Sequence, residues 1–158
     1  GDQADLSDGG GVRIRGRLKG IIVTSTGEKI APVDLEFAIQ NDPLFEQVFV
    51  YGENRPFISA LIVVQPELWQ SLCREMELDP EDPATLTDRS MTRLLRKRVR
   101  AAAKDFPSYG IPRSIAVVRE PFTIENGLLT PTMKPRRKEI FARWGHLIEA
   151  IYAGHPAA

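Results

Sequence analysis

Two apolar runs in the middle of the chain constrain its fold most: "EQVFVYG", Glu46 to Gly52, and "FISALIVV", Phe57 to Val64, separated only by the turn "ENRP". Both are rich in β-branched and aromatic residues, which suit the pleated surface of a strand. So short a connection predicts antiparallel pairing. The other elements arrange themselves around that pair. "VRIRGR" (Val12 to Arg17) and "GIIVTS" (Gly20 to Ser25) read as two short strands of a small hairpin. Pro32 opens a helix with Asp34 and Glu36 in its first turns. A second helix begins near Pro66 and carries Leu68, Trp69 and Leu72. A third opens at Thr87 or Asp88, with Met91, Leu94, Leu95, Val99, Ala102 and Ala103 at helical spacing. "SIAVVRE" from Ser114 reads as a third core strand, and a last helix runs from Pro135 to about Tyr152. The order predicts an α+β domain: a small N-terminal β-hairpin followed by a three-stranded sheet packed with helices.

At 158 residues and 42% hydrophobic, the chain is the size of one ordinary domain. It holds 21 basic and 21 acidic residues, so no whole-chain field argues for nucleic acid. Any basic function must be local. Cys73 is the only cysteine, which excludes an internal disulfide and a cysteine-rich zinc site and fits a reducing cytoplasm. No run is apolar enough to cross a bilayer, and the opening lacks a signal peptide's regions, so a soluble, cytoplasmic piece is expected. Gly1 stands first, and "GDQADLSDGGG" shows no apolar periodicity. Both features suggest a piece of a longer chain.

Lys134 follows "TPTM" and precedes Pro135, which as a helix's first residue would place the lysine beside a positive helix end, suited to an anion. Local pattern alone still favours an ordinary solvated lysine. The same holds for the basic face Arg89, Arg93, Arg96, Lys97, Arg100 and Lys104, since a polar face opposite a core stripe usually meets water. "STGEK" holds a glycine suited to a turn but is not a P-loop. His146 and His155 have no metal-ligand spacing, and no serine, histidine and acid combination stands out as a triad.

The stretches "GDQADLSDGGGVRIRGRLKGIIVTSTGEKIAPVDLE" and "FTIENGLLTPTMKPRRKEI" resemble the C-terminal domain of the adenylate-forming enzymes, specifically the long-chain fatty acyl-CoA synthetases. The resemblance runs from Gly1 to about Tyr152. It implies two regions: residues 1–19, the end of a nucleotide-binding motif with a hairpin strand and hinge linker, and residues 20–158, a mobile α+β domain. The large N-terminal adenylation domain, the implied partner, is not in this sequence. By resemblance, Asp2 ends a Thr-Gly-Asp motif that bonds the ATP ribose, and Arg17 contacts the nucleotide. Lys19 is the hinge; Ser25, Thr26 and Gly27 approach the pantetheine arm of CoA; and Lys134 is the catalytic lysine of adenylation. Members outside the long-chain branch usually place Gly directly before that lysine, where this chain has Met133.

The implied substrates are a fatty acid, ATP and CoA, with Mg²⁺ held mainly by the missing domain. The implied location is cytoplasmic, with membrane contact of the full-length enzyme left open. The chain alone is expected to be inactive. A contact between the basic helix and CoA phosphates is a weaker expectation. Two alternatives stand beside the synthetase: a relative that passes its acyl group to a carrier protein, and a non-catalytic interaction module.

Overall fold

A computed structural model describes residues 20–153. The expected strand Val12–Arg17 and the candidate residues Asp2, Arg17 and Lys19 lie outside the described residues. Two short strands, β1 (Ile22–Val23) and β2 (Lys29–Ile30), pair antiparallel. The strand expected at Gly20–Ser25 is therefore present but shorter, and its observed partner is Lys29–Ile30 downstream. Next come α1 (Pro32–Ile39), β3 (Phe45–Tyr51), β4 (Ser59–Val64) and α2 (Pro66–Glu75). A short 3-10 turn, Pro83–Thr87, leads to α3 (Arg89–Ala102), followed by β5 (Ser114–Val118) and α4 (Arg137–Ala153).

β4 is the central strand. It pairs antiparallel with β3 from Tyr51↔Ser59 to Phe45↔Val64, with a register shift between Phe45 and Gln47. On its other side it pairs parallel with β5, from Ser59↔Ser114 to Val63↔Val118. The period of two divides the strands between two apolar layers. Val48, Val50, Ala60, Ile62 and Val64 face α1, α2 and α3, where Leu35, Trp69, Met91, Leu95 and Val99 complete one core. Phe49, Leu61, Val63 and Val118 face α4, against Ile140, Trp144 and Ile148. Because helices cover both faces, all six residues of β4 are buried, which explains its unbroken apolar run. Each fully buried Leu or Ile here contributes roughly 1.5–3 kcal/mol relative to exposure.

The helix starts have local causes. Asp88 caps α3 by accepting from Met91 N–H at 3.0 Å. Gln65 caps α2 by accepting from Leu68 N–H at 2.7 Å, ahead of Pro66 at the first position. The expected start of α4 at Pro135 needs correction. Pro135 forms an antiparallel bridge with Leu129, and Arg136 N–H donates to the Leu128 carbonyl at 2.8 Å. The extended pairing holds Pro135 out of the helix, which begins at Arg137. No helix among the described residues is long and apolar enough to cross a membrane.

Candidate functional site

The described candidate residues sit on two hairpin loops built to one plan. The first joins β1 to β2 through Thr24-Ser25-Thr26-Gly27-Glu28. Thr24 N–H donates to the Glu28 carbonyl at 2.9 Å, and Gly27 N–H donates to the Thr24 carbonyl at 3.0 Å. The Thr24 hydroxyl accepts from Glu28 N–H at 3.1 Å and lies 3.1 Å from the Thr26 hydroxyl. Gly27 turns the chain with φ +88°. Ser25 N–H donates to the Arg55 carbonyl at 2.9 Å, fastening this loop to the β3–β4 turn.

The second loop, Thr130-Pro131-Thr132-Met133-Lys134, repeats each of those internal bonds. Thr130 N–H donates to the Lys134 carbonyl at 2.9 Å, and Met133 N–H donates to the Thr130 carbonyl at 2.7 Å. The Thr130 hydroxyl accepts from Lys134 N–H at 3.1 Å and lies 3.1 Å from the Thr132 hydroxyl. Met133 has φ +68°. A three-residue hairpin loop closed by a left-handed residue is a common short connection. The left-handed conformation is free for glycine and costs a residue with a Cβ about 1–2 kcal/mol. That is the physical reason a glycine suits this position and the sense in which Met133 is strained.

Lys134 thus stands at the tip of a short arm, exposed, and among the described residues its ammonium has no hydrogen-bond or ion-pair partner. It is not at a helix N-terminus, as the sequence suggested, because α4 starts only at Arg137. What holds the arm is tertiary. Gln47 of β3 donates to the Phe122 carbonyl at 3.0 Å and accepts from Phe122 N–H at 2.7 Å. Leu128 and Leu129 are buried in the α4 core. Asn126 closes the preceding turn by accepting from Thr123 N–H at 3.0 Å, with Gly127 at φ +82°.

At the arm's other end Arg137 donates to both oxygens of Glu36, at 2.8 and 2.7 Å. Glu36 is only 5% exposed and also accepts from Val50 N–H at 2.8 Å. The neighbouring Arg136 pairs with Glu139 at 3.8 Å. A groove of about 480 Å³ beside Lys134 is bordered by Glu46, Gln47 and Val48, and three exposed apolar side chains, Val33, Phe37 and Met133, line it. A second, more apolar groove of about 510 Å³ continues along β3 past Phe49 to Glu53 and reaches the first hairpin at Ile22.

Glu36, Arg137 and Gln47 were missed by sequence reasoning, yet Glu36 left a signal. Pro32, Leu35, Glu36 and Ile39 form the i, i+3, i+4, i+7 stripe of α1, so a carboxylate stands at a core position and needs a partner. The twin pattern Thr-x-Thr before the two left-handed residues was equally visible.

The basic face lies elsewhere. α3 packs on the sheet face opposite α4; its Arg89 is exposed, and Arg93, Arg96, Lys97 and Arg100 are exposed along a groove of about 370 Å³. Lys104 falls beyond the end of the helix. Arg98 is structural: its guanidinium donates to both oxygens of Asp42 at 2.7 Å. Burial pushes the Asp42 carboxyl up, but Arg98 and the Leu44 N–H outweigh it and leave Asp42 below its ordinary value. His146 is exposed on α4. Among the described residues no three His, Cys, Asp or Glu side chains cluster to hold a metal ion.

Residues 19–156 match the family model described as the AMP-binding enzyme C-terminal domain. The chain belongs to that family. The chain is 34% identical over 154 residues to a long-chain-fatty-acid–CoA ligase of Mycobacterium tuberculosis, covering 96% of this chain and 26% of the relative. It is 32% identical to a chloroplastic long-chain-fatty-acid–acyl-carrier-protein ligase of Arabidopsis thaliana, covering 92% of this chain and 18% of the relative. Among solved structures, the adenylation domain of the carboxylate reductase from Mycobacterium chelonae superposes with TM-score 0.73 at 31% identity, over 87% of this chain and 20% of that one. This family member therefore spans about a fifth of the length of such relatives, where it is one part of a larger adenylating enzyme.

Proposed function

We propose that the chain is the mobile C-terminal domain of an ATP-dependent long-chain fatty acid–CoA ligase, with Lys134 as the residue that stabilises adenylation. The observation that carries this is an ammonium without a partner among the described residues, held at the tip of a braced hairpin arm in a chain of the AMP-binding C-terminal domain family. When a carboxylate attacks the α-phosphorus of ATP, negative charge is shared over the phosphoryl oxygens, and a fixed cation there lowers the barrier electrostatically. In the second half-reaction the CoA thiol displaces AMP, and the Ser25-Thr26-Gly27 loop approaches the pantetheine arm. The two grooves follow one seven-residue strand, β3, which runs on the order of 20 Å. Loops set toward opposite ends of such a strand suit exchange by rotation of one rigid body about Lys19. Asp2 and Arg17 would contact the nucleotide beside the N-terminal domain, which supplies the acyl tunnel, the adenine pocket and the carboxylates for Mg²⁺.

A second acceptor competes with CoA. The relatives include a ligase that acts on an acyl-carrier protein, and a structural neighbour is a carboxylate reductase adenylation domain joined to a carrier domain, with TM-score 0.69 at 31% identity. Two measurements on the full-length protein decide. Pyrophosphate release with fatty acid and ATP should be lost in Lys134→Ala, and near-wild-type release would sink the assignment. Supplying CoA or a pantetheinylated carrier protein as acceptor then distinguishes ligase from carrier loading. The 158-residue chain alone should show neither step.

A further inference from the structure

We infer that Arg137 and Glu36 are the positioning pair of the Lys134 arm, fixing where the ammonium stands during adenylation; this rests on the function proposed above. Arg137 is the first residue of α4, immediately after the arm's closing bridge between Leu129 and Pro135. Its two guanidinium nitrogens reach the two Glu36 oxygens at 2.8 and 2.7 Å. Contact at two points fixes the plane of the guanidinium as well as its distance, which a lysine could not do.

Glu36 is itself held from a third direction by Val50 N–H at 2.8 Å, on β3. The guanidinium lies 5.6 Å from the centre of the Phe49 ring, on the same strand. One residue thus references the arm to α1 and to the sheet at once. The arm's other leg is pinned by the reciprocal Gln47 and Phe122 bonds. Between these two anchors the Thr130–Lys134 loop is closed only on itself.

The pair also removes a competitor. A free guanidinium so close in the chain would offer the same phosphoryl oxygens a second, differently placed cation. Glu36 takes the Nη1–Nη2 edge of the guanidinium and neutralises its charge, leaving Lys134 as the arm's charge without a partner among the described residues. Fixed placement matters because electrostatic stabilisation depends on donors arranged in advance, and a displacement of roughly 1 Å can cost about a hundredfold in rate.

The test separates two half-reactions in the full-length enzyme: adenylation, followed as pyrophosphate release, and thioester formation from supplied acyl-adenylate. Removing Arg137 alone would strand a buried carboxylate and could unfold the domain. The deciding variant is therefore the double substitution Glu36→Gln with Arg137→Met, which removes both charges, keeps similar volume and leaves an acceptor for Val50 N–H. Adenylation kcat should fall about tenfold to a hundredfold, with KM for ATP, thioester formation and the unfolding temperature unchanged. Arg137→Lys should show the same selective loss, because charge without two-point contact does not restore the geometry. Two results overturn the inference while the proposed function stands: full adenylation in the double variant when Lys134→Ala abolishes it, or an equal fall in both half-reactions. Full adenylation in Lys134→Ala instead overturns the proposed function itself, and the positioning role with it.

Discussion

The loops Thr24–Glu28 and Thr130–Lys134 share a backbone and differ in what they present. Each is closed by the same pair of main-chain bonds and the same threonine hydroxyl. The first ends in Glu28, whose carboxylate folds back to accept from the Thr26 hydroxyl at 2.8 Å, while its apex, Gly27, carries no side chain. The second ends in Lys134, whose ammonium has no partner among the described residues and which is preceded by the strained Met133. A Cβ added at Gly27 would meet nothing within 4 Å, so the structural reason for a glycine there is its φ. One loop shape therefore presents two different ends, and the two loops differ in their last two residues.

Exchanging those ends should have the largest effect. Lys134→Glu combined with Glu28→Lys should lower adenylation about 10²–10³-fold, with no recovery from the lysine at the other loop, whereas Glu28→Ala alone leaves pyrophosphate release unchanged. Recovery in the swap would show that the loops are interchangeable.

The anchors differ next. The first loop hangs on the Arg55 carbonyl, in a turn that Tyr152 holds from α4 by donating to the Phe57 carbonyl at 2.8 Å. Burial pushes the Tyr152 phenol up to about 12, against smaller opposing effects of Ser59 and Arg55. Its folded value is raised, so its contribution is full below the ordinary value of 10.0 and lost as pH climbs from there to about 12. Roughly 3 kcal/mol should disappear over that window, and amide exchange at Ser25 should quicken before exchange at Lys134 does. Simultaneous release would mean that the loops share one anchor.

Smaller effects test the shared backbone. Thr24→Val should cost about 1–3 kcal/mol, because the threonine is buried, and Thr130→Val about 0.5–1.5 kcal/mol at its half-exposed site, both by urea unfolding. Gly27→Ala should cost about 1–2 kcal/mol, whereas Met133→Gly should be neutral or stabilise by up to about 1 kcal/mol. Equal responses at the two left-handed positions would contradict the strain assigned to Met133.

Much of the body was legible because its causes are local. The runs around Val48 and Ile62 mark strands by composition, and the spacing of Met91, Leu95 and Val99 marks a helix wherever it packs. Asp88 before α3 is a cap that any reader of the chain can find. The error of extent at Pro135 has a longer-range cause: Pro135 satisfies the local rule for a helix start, but its bridge to Leu129 keeps it extended. The strand expected over Gly20–Ser25 is cut to Ile22–Val23 by a local one, since Gly27 turns the chain back onto Lys29 and Ile30 within one short loop.

At the site the division is sharper. Lys134 was singled out by the wording of its own segment, but the groups that anchor its arm to the body lie far away in sequence. Glu36 and Arg137 stand 101 positions apart, and Gln47 and Phe122 stand 75 apart. Sequence by itself determined the main helices, the three strands of the central sheet and the family, and singled out the lysine as a candidate, since periodicity, turn chemistry and motif order act over a few residues at a time. Only the tertiary structure decided that helices cover both faces of the sheet, that β5 runs parallel to β4, and that a buried carboxylate holds the lysine's arm. Those depend on which distant groups meet away from water, where an unpaired charge is too costly to leave and each must find its partner.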